Sequence, residues 1–143
     1  SKMFMGDGGS QFIGVIVAFF TTKTLLQDQM QVEFNLPGLI MVVTALTPAL
    51  VDTLTVVINR LKRGQSPMVG GKDHTTHHLV YSGKNDLQVW MVFLVLGAIS
   101  VVVTYFTYWI SVDSFFNAFA FGFSYFALVF WFLYRNTLKF KAK

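Results

Sequence analysis

Apolar positions gather into four runs separated by short polar stretches: from about Gln11 to Leu26, Leu36 to Ile58, Leu87 to Ile110 and Phe115 to Tyr134. A helix needs about 20 predominantly apolar residues to cross the hydrocarbon core. The pattern therefore predicts an all-α, polytopic transmembrane bundle of about four spans, with residues 1–143 forming one membrane unit and residues 59–86 a loop. The first run is the shortest, because Lys23 interrupts it; the long stem of that lysine lets its ammonium reach the interface.

The second run carries two prolines. Pro37 stands at its start, where a missing N–H costs little, but Pro48 is internal and predicts a kink or break. Asp52, Asn59 and Arg60 follow, so this part of the run is polar where lipid would penalise it. No ionisable residue interrupts the third run, or the fourth between Ser114 and Tyr134. Trp90, Tyr105, Tyr108, Trp109, Trp131 and Tyr134 lie near their ends, as interfacial belts require, and these two runs read as lipid-facing structural helices. Gly97 and Gly122 read as points of close helix approach.

Composition agrees with a membrane chain: of 143 residues 54% are hydrophobic and 13% charged, against roughly 25% charged in a soluble domain. The net charge of +4 does not point to nucleic acid, because the basic residues are distributed by side. Arg60, Lys62, Arg63, Lys72 and Lys84 fall in or beside the long loop, and Arg135, Lys139, Lys141 and Lys143 follow the fourth run. By the positive-inside rule the loop and the C-terminal residues are cytoplasmic. Counting back through two spans places Ser1 to Ser10 there too, with Asp28, Glu33 and Asp113 opposite. The absence of cysteine excludes a disulfide framework and a thiolate metal site.

Three segments on that cytoplasmic side hold the candidate chemistry. In "MGDGGS" the glycines permit tight turns and the N–H groups at the start of the following helix favour an anion, so Gly8, Gly9 and Ser10 are candidate phosphate ligands. Asp7 adds a hard oxygen ligand suited to a magnesium diphosphate, since Mg2+ takes one or two carboxylates and fills its octahedron with phosphate oxygens and water. The competing reading is a helix cap by Asp7 or Ser10.

Asp52, a carboxylate inside an apolar run, is either catalytic or paired with Arg60, Lys62, Arg63 or a metal. The loop "KDHTTHHLVYSG" holds every histidine. A short helix there would put His74, His77 and His78 on one face. Beside Lys72 they suit phosphate and sugar-hydroxyl recognition, with a zinc site or an incidental surface loop as alternatives. Asp73 is placed to orient one of the imidazoles.

Taken in order, "FMGDGGS", "PALVDTLTVVINRLKRGQSP" and "DHTTHHL" resemble the C-terminal half of the polyprenyl-phosphate N-acetylhexosamine-1-phosphate transferases. That membrane family includes the undecaprenyl-phosphate GlcNAc-1-phosphate transferases and the phospho-MurNAc-pentapeptide transferase. The resemblance runs from Ser1 to about Leu79; the last two spans agree only in being hydrophobic.

It implies transfer of a sugar 1-phosphate, GlcNAc-1-phosphate in the nearest branch, from a UDP-sugar to polyprenyl (undecaprenyl) phosphate, with release of UMP. Mg2+, or Mn2+ in its place, would be the cofactor. The site would face the cytoplasm at a bacterial inner membrane, in cell-envelope glycan synthesis, and family members are often homodimers. Asp7 matches the "GDxGS" aspartate, a metal ligand or catalytic carboxylate. Asp52 matches the aspartate of "PxxDT", Arg60 an arginine that follows it, and His74, His77 and His78 the nucleotide-sugar histidines. Two threonines separate His74 from His77 where the family has His-x-His-His.

The family's Asp-Asp and "NxxNxxDG" motifs do not occur in the chain, so it reads as a fragment inactive alone; Mg2+-dependent UMP release by these 143 residues would overturn that expectation. The rival class is a non-enzymatic assembly or transport subunit with Asp52 on an ion path. An inactive homologue that retains nucleotide binding is a third.

Overall fold

A computed structural model describes residues 6–25, 36–68 and 73–140, with the backbone alone for 6–10. It is all-helical among the described residues: α1 (Gly6–Leu25), α2 (Leu36–Ala45), α3 (Thr47–Lys62), α4 (Thr75–Tyr81), α5 (Asp86–Asp113) and α6 (Phe115–Lys139). The expected all-α membrane bundle is observed. Among the described residues α5 and α6 are each long and apolar enough to cross a bilayer, and α2 with α3 makes a third span if the bent pair is one. The apolar part of α1, Gln11–Leu25, is shorter than that measure.

The second run is broken as Pro48 predicts. Without an N–H, Pro48 cannot bond the Thr44 carbonyl, and its ring crowds that carbonyl, so the helix ends at Ala45 and restarts at Thr47, turned by 76°. At the break Thr47 Oγ1 donates to the Val43 carbonyl at 2.9 Å, and one turn earlier Thr44 Oγ1 donates to that of Ile40 at 2.7 Å.

The connections from α3 to α4 and from α4 to α5 are set by capping. Beyond α3, Gly64 (φ 67°) bonds the Leu61 carbonyl and Gln65 that of Arg60, the Schellman arrangement that ends a helix on a left-handed residue. Gly83 (φ 93°) ends α4 in the same way, its N–H on the Val80 carbonyl and that of Lys84 on Leu79. Asn85 then starts α5 with a reciprocal capping box to Gln88. At the other end a single residue, Ser114, turns α5 into α6.

The core is small and lies between α3 and α6, where Val51, Val129 and Leu133 are buried under Leu96, Tyr125, Phe126 and Phe130. Small polar side chains fill the helix interfaces, as expected where hydrophobicity does not distinguish lipid from protein. Ser100 on α5 and Tyr125 on α6 pair at 2.7 Å. Gly122 is buried against α2, where a Cβ would lie 2.9 Å from Thr44 Oγ1 and 3.1 Å from Ile40 Cγ2. Large apolar side chains of α1, α5 and α6 face outward, including Phe12, Phe19, Val101, Phe116 and Leu128. Trp90, Trp109 and Trp131 are more than half exposed near helix ends.

Candidate functional site

One face of α3 repeats polar residues at helical spacing, with Asp52, Asn59, Arg60 and Arg63 at i, i+7, i+8 and i+11. That face holds α4. Asp52 Oδ1 accepts from the Thr75 backbone N–H at 2.7 Å and from the Thr75 hydroxyl, while Oδ2 lies 2.8 Å from His74 Nδ1. The first N–H of a helix has no partner inside it. His74, the N-cap residue of α4, makes no side-chain cap. Asp52 supplies that cap from another helix, with its negative charge at the favourable end of the α4 dipole.

A second grip lies one residue upstream of His74. Asp73 takes Arg60 Nε at 3.0 Å on one carboxylate oxygen and Arg63 Nη2 at 2.8 Å on the other. Arg60 is 5% exposed and also donates to the Pro67 carbonyl at 3.0 Å. The hydrogen bond from Arg63 holds the Asp73 carboxyl below its ordinary value of 3.8, against partial burial, and Arg60 acts in the same direction.

Several sequence expectations are corrected here. Asp52 pairs with His74 and Thr75 rather than with Arg60, Lys62 or Arg63, because the start of α4 packs onto the face of α3 that carries Asp52. Asp73 bonds the two arginines and Asp52, not Asp73, holds an imidazole. The guanidinium of Arg60 is turned inward onto Asp73 and the Pro67 carbonyl.

The three histidines do not share a face, because His74 precedes the first turn of α4 with extended backbone (φ −65°, ψ 150°). Its side chain is half exposed. His77 lines a cavity of about 370 Å³ with Thr76, Val80, Asp86, Trp90 and Phe93. His78 is buried, with Nδ1 on the Phe140 carbonyl at the end of α6 and its ring edge-on to Tyr81. Among the described residues no three His, Cys, Asp or Glu side chains converge on a metal position.

α6 closes the same end of the bundle, with Asn59 donating to Thr137 Oγ1 at 3.0 Å and Lys62 to the Tyr134 hydroxyl at 2.6 Å. The glycine-rich opening is helical: α1 begins at Gly6, so Asp7, Gly8 and Gly9 lie in its first turn and Ser10 follows, instead of forming a loop ahead of it. The Asp7 and Ser10 side chains, and all of Lys72, lie outside the described residues. Thr75 was not singled out from sequence; a threonine that fills a buried position and caps its own helix on a remote carboxylate leaves no periodic or motif signal.

No family model matches the chain, and no solved structure matches it. Among curated proteins, the chain is 31% identical to the decaprenyl-phosphate N-acetylglucosaminephosphotransferase of Mycolicibacterium smegmatis, over 71% of this chain and 28% of that protein. It is 28% identical to the undecaprenyl-phosphate alpha-N-acetylglucosaminyl 1-phosphate transferase of Salmonella typhi, over 68% of this chain and 25% of that protein. The decaprenyl-phosphate N-acetylglucosaminephosphotransferase of Mycobacterium leprae is 25% identical, over 71% and 29%. The chain thus spans 25% to 29% of the length of these relatives. The resemblance carried by the three motifs is borne out as a partial match to polyprenyl-phosphate GlcNAc-1-phosphate transferases.

Proposed function

We propose that this chain is part of a membrane enzyme that transfers GlcNAc-1-phosphate from UDP-GlcNAc to a polyprenyl phosphate and releases UMP. The site faces the cytoplasm of a bacterial inner membrane. The observation that carries the reading is the double attachment of the "DHT" segment to α3, by Asp52 and by Arg60 with Arg63. It fixes a histidine-bearing helix at one end of a bundle whose relatives are named for this chemistry.

Phosphoryl transfer depends on positioning and charge neutralisation more than on covalent help from the protein. Asp7 is the residue assigned to a divalent cation; its place among the glycines at 6–9 of α1 fits a diphosphate that brings its own oxygens to the metal. Mg2+, when bound, supplies charge neutralisation across that diphosphate. The N–H groups of Gly8 and Gly9 would receive phosphate oxygens. His77, in the cavity beside Trp90, and the half-exposed His74 are the imidazoles left for the donor, since His78 is spent on Phe140. A lipid phosphate acceptor requires the site to lie where membrane meets water, and this reading assigns that level to the end of the bundle where α3 and α4 meet the end of α6.

The transferase reading is favoured over the transport alternative because Asp52 is engaged by His74 and by the N–H and hydroxyl of Thr75. The test is UMP release by the full-length protein from UDP-GlcNAc and undecaprenyl phosphate with Mg2+. Activity that disappears with EDTA and in Asp7→Asn is expected; activity unchanged by both overturns the assignment.

A further inference from the structure

The pair formed by Asp52 and His74 does more than attach a helix. A carboxylate only accepts hydrogen bonds, so the 2.8 Å contact requires the proton of the imidazole to be on Nδ1. Nε2 is then the lone-pair atom of the neutral ring. It makes no hydrogen bond among the described residues, on a side chain 51% exposed against 19% for Asp52. The other carboxylate oxygen is occupied by the N–H and hydroxyl of the fully buried Thr75, so Asp52 cannot rotate away without stranding two buried donors. Orientation and tautomer of His74 are therefore set by one residue 22 positions earlier, on a different helix.

We propose that Asp52 is a positioning residue that fixes His74 as the Nδ1–H tautomer and thereby presents Nε2 as a hydrogen-bond acceptor to a proton-bearing oxygen or nitrogen of the substrate. This rests on the transferase reading. The group that Nε2 accepts from is a hydroxyl or acetamido N–H of the sugar, or the P–O–H of the acceptor phosphate monoester; the chemistry is the same and the two sources separate kinetically.

The deciding variant is Asp52→Asn. The Thr75 N–H can only donate, so the amide oxygen takes Thr75 and the amide NH2 turns to His74, where it needs a lone pair on Nδ1. The ring switches to the Nε2–H tautomer while α4 keeps its cap. The measurement is 15N NMR of ring-labelled histidine in the full-length protein in bilayers, for wild type, Asp52→Asn and Asp52→Ala, with UDP-GlcNAc affinity and steady-state kinetics on the same samples.

Wild type is expected to show His74 protonated on Nδ1, and Asp52→Asn the reverse with amide exchange of α4 unchanged. Loss of a donor–acceptor match in the site is expected to cost about 10- to 100-fold. It appears as a raised Kd for UDP-GlcNAc if the partner is on the sugar, or as a lowered kcat at unchanged Kd if it is the acceptor phosphate. An Nε2–H tautomer in wild type overturns the proposal, and so does a reversed tautomer in Asp52→Asn with Kd and kcat both within twofold of wild type. Absence of UDP-GlcNAc binding by wild type, with the tautomers as expected, upholds the positioning by Asp52 and overturns the ligand assignment together with the transferase reading.

Discussion

Asp52 Oδ1 lies 2.7 Å from the backbone nitrogen of Thr75, so the first turn of α4 is closed by a carboxylate from α3. Thr75 is completely buried. Asp52→Ala strands its N–H and its hydroxyl together, where one lost cap alone costs about 1 kcal/mol and an unsatisfied buried group about 1–3 kcal/mol. The expected loss in docking of α4 is about 2–3 kcal/mol, read as a rise on the order of 100-fold in hydrogen exchange of its amides. Exchange unchanged from wild type would show that Asp52 does not hold α4.

Asp73 gives a pH signature. Its folded carboxyl titrates below 3.8, chiefly through the Arg63 hydrogen bond, so the carboxylate stabilises the folded loop above that value. This contribution is lost as pH falls through the lowered folded value. Asp73→Asn is expected to weaken protection of α4 at pH 7 by about 1–3 kcal/mol, leaving the buried Arg60 without its anion. The difference from wild type should shrink as the pH is taken below 3.8. A gap of constant size down to pH 2, a value well under the usual carboxylate range of roughly 3.5–4.3, is the contrary outcome.

The helices were legible because their signals are local. Apolar runs gave α5 and α6 to within a few residues at most boundaries, and Pro48 located the break to within two residues of Leu46. The site was legible as a set of unusual residues but not as a set of partners. Asp52 lies nearer in sequence to Arg60 and Arg63 than to His74, and only the turn between α3 and α4 decides that the arginines go to Asp73 instead. His74, His77 and His78 fit one helical face by spacing, yet a helix that starts one residue after His74 removes it from that face. The helical start at Gly6 was hidden because glycine disfavours helix in any local scale.

Gly122 tests the packing of α6 on α2. An alanine methyl would be 2.9 Å from Thr44 Oγ1, and Thr44 is itself tied to the Ile40 carbonyl at 2.7 Å, so it cannot swing aside without giving up that bond. Gly122→Ala is expected to destabilise the bundle by about 1–3 kcal/mol. Adding Thr44→Ala removes the obstructing oxygen and should recover part of the loss, measured as the denaturation midpoint in mixed micelles. A double variant no more stable than Gly122→Ala alone would place the strain elsewhere.

His77 and His78 are adjacent in sequence and separate in consequence. His78 is 7% exposed and ties α4 to the Phe140 carbonyl, so His78→Ala opens a buried space and frees the end of α6. Its expected cost is about 2–3 kcal/mol in stability, from lost packing together with a lost hydrogen bond. His77 faces a cavity beside Trp90 and Asp86 and makes no side-chain hydrogen bond among the described residues, so His77→Ala should leave the denaturation midpoint near that of wild type. Under the transferase reading the functional effects run the other way at matched folding. His77→Ala is expected to weaken UDP-GlcNAc binding by about tenfold, the value of one hydrogen bond to a charged group. A His77→Ala protein that is as stable as wild type and binds the nucleotide sugar equally well would remove His77 from the site and leave the cavity beside Trp90 a packing feature.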